Sequence, residues 1–222
     1  MKEFTDFSDL VALIRSRIAR ADGESARGVE STDAGGESLR RAAVALVLRG
    51  NLSEAEMLVI KRSVSERDHW SGHLALPGGR VEAGDASLLA TAVRETLEEV
   101  GVNLREGGEV LGRLGVVEPK SPLAPRVSVA PFVAVAPAEY HVRRENEVTP
   151  PLVLSEEVAA AFWVPVAALR KGGRSEVFKM VFAGVEREWP AYPSEQGPIW
   201  GITERILTEF IEMLNAERGT MN

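Results

Sequence analysis

The segment 78–102, GGRVEAGDASLLATAVRETLEEVGV, constrains the fold most strongly, because a glycine-rich loop leads directly into one short helix that is crowded with acids. Asp85 stands where a helix N-cap belongs, and Gly101 stands where a C-cap glycine belongs. The pattern therefore predicts a helix over 85–100. Its mostly apolar residues recur at helical spacing and should pack on a core: Leu89, Ala92, Val93, Thr96 and Val100.

A second face of this helix carries three carboxylates. Glu95, Glu98 and Glu99 are related as i, i+3 and i+4, where like charges disfavour a helix by about 0.2–0.5 kcal/mol per pair. A solvated acidic face is the ordinary interpretation of such a run. Here, however, Arg94 adjoins the cluster, and the preceding segment 77–79, PGG, allows backbone to approach a ligand closely. Because hard oxygen ligands suit Mg²⁺, the face is also a candidate metal site.

The rest of the chain predicts several strands and two further helices. Pro131 has no N–H, which indicates a bulge or a sheet edge at that point. The order of elements favours an α+β fold or an α/β/α sandwich over alternating βαβ units. Strands are expected at 42–49, 57–62, 110–118, 126–136 and 161–166, a turn joins the first two, a hairpin is expected over 176–189, and amphipathic helices at 7–19 and 202–214.

The segment 21–38, ADGESARGVESTDAGGES, is rich in Gly, Ser, Asp and Glu and predicts a mobile linker. The helix before it is therefore expected to be an appendage that packs on the main body. We divide the chain into an N-terminal helix with a flexible linker at 1–38, a main domain at 39–216 and a disordered tail at 217–222.

Composition disfavours several classes of function. The formal net charge of −7 argues against a protein that binds nucleic-acid phosphates. The chain has no cysteine, which removes disulfides, thiolate zinc sites and cysteine nucleophiles and is compatible with a reducing cytoplasm. No signal peptide is recognisable, and no apolar run approaches the roughly 18–20 residues of a membrane span. We therefore expect a cytoplasmic protein with no nucleic-acid partner and no membrane contact.

The offsets of the glycines and acids resemble a Nudix box, the signature of hydrolases that cleave nucleoside diphosphates linked to another group. The second half of that pattern is present at 94–102 as RETLEEVGV. In the first half Asp85 stands where glutamate is usual, and eight residues instead of seven separate it from Arg94. This longer, aspartate-bearing variant resembles the coenzyme A diphosphatase branch of the family. Other segments similar to motifs of that branch are LVIKRS with Arg67 and Gly72, EVA before VPV, and IWGIT.

The resemblance implies a Nudix-like α/β/α sandwich with a mixed sheet, and hydrolysis of a diphosphate bridge by water. It implies that Mg²⁺ or Mn²⁺ is held by Glu95 and Glu99, with Glu98 as a further ligand, directly or through water. The carbonyl of Gly78 is a further candidate ligand. Arg94 is expected to orient a glutamate and not to touch the substrate first.

The general base and the phosphate-binding cations stay open among several residues. Glu157, which precedes the 161–166 strand, is our candidate base, and Glu156, Glu95 and Glu98 are the alternatives. The segment 155–157, SEE, also fits an N-capped helical turn. The candidates for binding substrate phosphate are Arg62, Arg67, Lys120 and Arg126, each of which is also interpretable as an ordinary surface cation.

Other motifs contribute little. Trp70 and Trp163 are candidates for stacking on a base, and a core position is favoured for Trp163. His69, His73 and His141 show no metal-ligand pattern. The P-loop, the serine-hydrolase elbow and the EF-hand loop are all missing from the sequence.

The leading hypothesis is a metal-dependent hydrolase of a nucleoside diphosphate derivative, with coenzyme A or its thioesters as substrate. A second hypothesis is hydrolysis of ADP-ribose, nucleotide sugars or dinucleoside polyphosphates. A third, of another class, is a non-catalytic nucleotide-sensing module, against which the complete set of three glutamates argues. Members of the family it resembles are often dimers, so a homodimer is one assembly to test.

Overall fold

The computed structural model of the protein describes residues 6–25, 40–52, 54–65, 71–119, 126–182 and 184–216. The predictions made for Arg67, His69, Trp70 and Lys120 lie outside these ranges, as do most of the predicted linker and the whole predicted tail. Within them, no helix is long and apolar enough to cross a bilayer.

The described elements are four α-helices, one short 3₁₀ helix and ten strands. The helices are α1 Phe7–Ser25, α2 Leu88–Val100, α3 Val166–Gly172 and α4 Gly201–Asn215, with a 3₁₀ helix at Ala138–Tyr140. The strands are β1 Arg40–Asn51, β2 Glu54–Arg62, β3 Leu74–Ala75, β4 Gly78–Arg80, β5 Glu109–Arg113, β6 Val127–Val135, β7 Val158–Pro165, β8 Glu176–Phe182, β9 Val185–Tyr192 and β10 Ile199–Trp200.

A seven-stranded mixed sheet organises the molecule around β1. This strand runs parallel to β6 from Arg40↔Val127 to Leu48↔Val135. It is antiparallel to β2 from Leu48↔Met57 to Asn51↔Glu54, and to β4 from Ala42↔Arg80 to Val44↔Gly78. β7 lies against the outer side of β2. The register of β4 on β1 places the glycine segment beside α2, and the pairing of β7 with β2 brings the start of β7 to the end of β2.

Two hydrophobic layers cover the two faces of this sheet, because side chains alternate along each strand. In β1, Leu46 and Leu48 belong to the layer that also contains α1 and α4. Ala45 and Val47 belong to the opposite layer, which contains α2. The predicted α+β fold with an α/β/α sandwich is therefore confirmed. A separate three-stranded sheet of β8, β9 and β10 adjoins it and includes the predicted hairpin.

The N-terminal helix is part of the core. Leu10, Ile14 and Ile18 of α1 are at most 2% exposed. Ile18 lies so close to Gly112 that a Cβ there would stand 2.2 Å from a methyl carbon of Ile18. Arg17 donates to backbone carbonyls at the C-terminal end of α4. The helix continues to Ser25, so the first residues assigned to a linker are helical instead.

Two local predictions are wrong. Asp85 does not cap α2, because the helix begins at Leu88 and the hydroxyl of Ser87 accepts from the N–H of Ala90 at 3.1 Å. Pro131 lies neither at an edge nor in a bulge, since β6 is flanked by β1 and β5. The carbonyl of Pro131 accepts from the N–H of Leu114, so the side of Pro131 that has no N–H also faces β5. The ladder between β5 and β6 ends at Arg113, one residue before Leu114. The bulge lies in β5 instead.

Candidate active site

The glutamates of α2 owe their positions to the caps of the helix and to strand β4. Gly101 closes the helix in the left-handed conformation, with φ 74°, and its N–H donates to the carbonyl of Leu97. This end agrees with the sequence prediction. At the sheet, β4 presents glycine where α2 crosses, so carboxylates can reach the backbone directly.

Glu99 is the most buried of the acids, at 4% exposure. One of its carboxylate oxygens accepts a hydrogen bond from the N–H of Gly78 at 2.8 Å. Burial is the main reason why its pKa rises from the usual 4.5 to about 7. The Gly78 N–H and the charge of Arg62 oppose this rise, whereas the charges of Glu95 and Glu157 add to it. A nearby cation would therefore stabilise the ionised form of Glu99.

Glu95 occupies the space that a side chain at Gly79 would need. A Cβ built on Gly79 would stand 2.3 Å from a carboxylate oxygen of Glu95, so a side chain at this position would displace the carboxylate. The pKa of Glu95 is also raised, chiefly by burial and further by the charges of Glu98 and Glu157, although Arg94 opposes the shift. Glu95 and Glu99 therefore converge on neighbouring glycines and repel each other.

Arg94 holds one carboxylate firmly and shares its remaining donor between two others. Its Nε and Nη2 donate to the two oxygens of Asp85, both at 3.0 Å. Nη1 lies 2.8 Å from Glu98 and 3.1 Å from Glu95. The fork to Arg94 is the main reason why the pKa of Asp85 falls well below its usual value. Thr91 also donates to Asp85, at 2.8 Å. Arg94 thus touches two of the three glutamates of α2.

Glu157 joins the cluster from outside the helix. Val158 pairs with Arg62 where β7 begins, and the carbonyl of Glu157 accepts from the N–H of Ser63 at 2.8 Å. Its carboxylate is close enough to raise the pKa of both Glu95 and Glu99. The preceding residues form a turn, closed by the N–H of Val158 on the carbonyl of Ser155 at 3.2 Å. Within the described ranges the Ser155 hydroxyl makes no capping bond.

The other predicted site residues are dispersed. Arg62 is half-buried and its charge acts on Glu99, whereas Arg126 is exposed at the start of β6. Trp163 stacks under Arg49, whose guanidinium carbon lies 4.4 Å from the ring centroid. This contact agrees with a structural role for Trp163. Glu98 has a side-chain exposure of 56% and is the most exposed of the three glutamates of α2.

The cluster fits a divalent cation by its chemistry. Half-buried Glu95 and buried Glu99 converge and both have raised pKa values, so a cation between them would offset the cost of burial and the repulsion. Among the described residues no three His, Asp or Glu side chains already stand at metal-ligand spacing. Glu98 is drawn towards Arg94, and Gly78 faces Glu99 with its N–H. Glu98 therefore suits a contact through water better than a direct one.

Two features of the site were missed from the sequence. The first is the fork between Asp85 and Arg94, which join a loop to a helix; the offset of nine residues matches no helical spacing and gives no local signal. The second is the contact between Gly79 and Glu95, which depends on the register of β4 on β1. In the sequence, Gly79 itself is the signal that indicates such a close contact.

Comparisons with known proteins agree with the geometry. The NUDIX domain model matches residues 38–183. The protein called Uncharacterized Nudix hydrolase NudL of Citrobacter koseri is 32% identical over 176 residues, which cover 78% of this chain and 83% of that protein. Its namesake in Enterobacter sp. strain 638 is 30% identical, over 77% and 81%. An uncharacterized protein of Schizosaccharomyces pombe is 40% identical over 116 residues, but these span only 32% of it.

Solved structures share the fold. The MutT/nudix family protein from Enterococcus faecalis superposes with a TM-score of 0.55 and 17% identity, over 96% of this chain and 76% of that one. The NUDIX domain of Shewanella oneidensis NrtR, crystallised with ADP ribose, superposes with a TM-score of 0.53 and 16% identity, over 86% and 99%.

Proposed function

Because the chain belongs to the Nudix family, and so is a hydrolase of phosphoanhydrides in nucleoside diphosphate derivatives, we propose that its substrate is coenzyme A or one of its thioesters. The observation that carries this choice is Asp85, whose carboxylate forms a fork with Arg94 across the longer spacing that resembles the coenzyme A diphosphatase branch. The similarity to NudL over most of both chains supports the assignment to the Nudix family.

Each residue of the cluster has a role in this proposal. Glu95 and Glu99 hold the divalent cation, and Glu98 contacts it through water. When bound, Mg²⁺ or Mn²⁺ neutralises phosphate charge and lowers the pKa of a bound water. Arg94 positions Glu95 and Glu98 and does not touch the substrate. This division follows the geometry, since Arg94 already spends two donors on Asp85.

Glu157, just before β7, and Arg62, at the end of β2, act on the proton of the attacking water and on the phosphate charge. Glu157 accepts the proton of the attacking water, because it is the one acid of the cluster that comes from outside α2 and still acts electrostatically on Glu95 and Glu99. Arg62 lies beside this acid and Glu99, and its guanidinium suits the oxygens of the diphosphate. Glu156 is the alternative base.

Product analysis on a panel of nucleoside diphosphate derivatives tests the proposed substrate. Wild-type protein with Mg²⁺ or Mn²⁺ is incubated with coenzyme A, acetyl coenzyme A, ADP-ribose, a nucleotide sugar and diadenosine tetraphosphate, and the nucleotides are separated by chromatography. We expect coenzyme A and its thioester to give the highest kcat/KM and to release adenosine 3′,5′-bisphosphate. The control Glu99→Gln should be inactive on all five compounds. A higher kcat/KM on ADP-ribose or another compound would refute the substrate, and an inert wild type would favour the nucleotide-sensing module.

Two further properties are proposed on composition and family resemblance alone. A cysteine-free chain suits a reducing compartment, so we propose the cytoplasm. A homodimer remains a prediction, which light scattering on the purified protein would test.

A further inference from the structure

Four exposed arginines meet at one end of the main sheet. Arg40 and Arg41 open β1, and Arg80 closes β4 as the partner of Ala42. The carbonyl of Arg126, just before β6, accepts from the N–H of Arg40 at 3.2 Å. The register of three neighbouring strands therefore gathers four arginines at one end of the sheet, with Arg40 and Arg80 on one face and Arg41 and Arg126 on the other. We call Arg40, Arg41, Arg80 and Arg126 the arginine end.

The charge of this end is not neutralised by the protein itself. In the part of the chain that the structure describes, none of the four forms a salt bridge. The chain as a whole carries 33 acids against 26 bases, so four cations without a carboxylate partner run against its composition. The acids of the loop after β4 face Arg94, since Asp85 is forked to it and Glu82 lies 3.9 Å from it. Like charges side by side in a sheet are destabilising, and an anionic ligand would remove that cost.

The arginine end borders the glutamate cluster. Arg80 directly follows Gly79, which touches Glu95, and the carbonyl of Arg80 accepts from Arg94 at 3.2 Å. Arg41 lies two residues along β1 from the partner of Gly79. With a rise of about 3.3 Å per residue and about 4.8 Å between strands, the Cα atoms of Gly79 and Arg41 are about 8 Å apart.

A second arginine position serves the other side of the cluster. Arg62 stands on β2, beside Glu99 and the start of β7, whereas the arginine end begins beyond β4 and extends to β6. Because β1 lies between β2 and β6, at least two strand spacings of about 4.8 Å separate Arg62 from Arg126 across the sheet. The two cationic positions therefore suit two separate anionic groups of one ligand.

We propose that the arginine end binds a phosphomonoester on the nucleoside part of the substrate, apart from the scissile diphosphate. The assignment rests on the proposed function, which it deepens. Guanidinium groups form forked, charge-assisted hydrogen bonds with phosphate oxygens. A ribose 3′-phosphate, as in coenzyme A, meets the requirement, whereas ADP-ribose and nucleotide sugars lack this group. The arginine end thus selects, within the nucleoside diphosphate derivatives, those that carry a third phosphate.

Calorimetry with two product-like probes tests this without relying on turnover. Adenosine 3′,5′-bisphosphate and AMP are titrated into wild-type protein at fixed ionic strength. Because strand alternation separates the arginines by face, two double variants are used, Arg40→Ala with Arg80→Ala and Arg41→Ala with Arg126→Ala. We expect wild-type protein to bind the bisphosphate at least about tenfold more tightly than AMP, as charge-assisted hydrogen bonds imply. At least one double variant should lose this preference and keep its affinity for AMP.

The controls separate a local effect from a general one. Arg187→Ala, an exposed position on β9, should keep the preference, and thermal unfolding should show each variant folded. The proposal is overturned if wild-type protein does not distinguish the probes, if both double variants still do, or if AMP binding weakens equally. Turnover of coenzyme A and of its 3′-dephospho form is then compared. If wild-type protein prefers the bisphosphate in calorimetry but does not turn over coenzyme A, only the proposed substrate is refuted. If it turns over coenzyme A but does not prefer the bisphosphate, only the subsite is refuted.

Discussion

Replacing Glu99 by glutamine should stabilise the protein in the absence of metal while it abolishes turnover. The buried carboxylate is costly when ionised, because it is 4% exposed and repelled by Glu95 and Glu157. Glutamine keeps the size of the side chain, and its amide oxygen can still accept from the N–H of Gly78. The substitution therefore removes the charge and leaves the packing and one hydrogen bond in place.

The size and the sign of the effect follow from the pKa of Glu99. The folded-state value of about 7 lies above the usual 4.5, so the ionised form is the disfavoured one in the folded protein. Below pH 4.5 the group is protonated whether folded or unfolded, and the penalty is absent. Between the two values the penalty grows by about 1.4 kcal/mol per pH unit, to about 3 kcal/mol above pH 7. The advantage of Glu99→Gln in free energy of unfolding should follow the same curve.

Urea unfolding at several pH values, with chelator and with Mg²⁺, checks this prediction. With chelator, the difference between variant and wild type should rise by about 3 kcal/mol from pH 4.5 to pH 8. With Mg²⁺ at pH 8, wild-type protein should gain stability through binding, and the variant should gain less. A difference that is independent of both pH and Mg²⁺ would refute the electrostatic reasoning. The comparison needs no substrate, so it is separate from the proposed activity.

Three further variants address other elements of the molecule. Glu157→Gln should lower kcat with little change in KM; an unchanged kcat in steady-state assays would assign the proton to another acid. Gly79→Ala should lower activity by orders of magnitude, because its Cβ would stand 2.3 Å from a carboxylate oxygen of Glu95 and displace it. Gly84→Ala is the control and should keep activity, since its Cβ would have no neighbour within 4 Å. Equal effects of the two variants on kcat/KM would contradict the close approach of Gly79 and Glu95. Ile14→Ala should reduce the free energy of unfolding by about 2–5 kcal/mol, as for other core truncations, and Ser16→Ala by far less; equal urea midpoints would show that α1 does not belong to the core.

Local signals made the fold predictable to a large extent. The C-terminal end of α2 agrees with prediction because Gly101 is a cap that needs no distant partner. The central strands β1 and β2 follow from near-continuous apolar runs, which are typical of strands buried on both faces of a sheet. Helix α3 was missed because it has only seven residues and starts directly after Pro165, too short for a helical period to register. The length of α1 was underestimated because Gly23 lies within an acidic, serine-containing stretch that is typical of a linker.

The sequence indicated which acids of α2 share one face, but it did not indicate how the candidate site is arranged. The acids of α2 lie on one face by helical spacing alone. Glu157 enters the cluster only because β7 pairs with β2, a contact between residues far apart in the sequence. The role of Asp85 could not be read locally either, since a capping position and a partner for Arg94 look alike in the sequence. The division of the chain into domains at 38 and 216 remains a prediction.

The balance of charge at the site explains why an anionic substrate needs a cation to bind. Among the described residues, six carboxylates, those of Glu82, Asp85, Glu95, Glu98, Glu99 and Glu157, lie around two guanidinium groups, those of Arg62 and Arg94. One guanidinium is already forked to a loop carboxylate and shared with two glutamates, so it offers little to a diphosphate. An unmetallated site of this kind repels phosphate by simple electrostatics. Binding of a diphosphate should therefore weaken when the divalent cation is removed, even in a variant that cannot hydrolyse it.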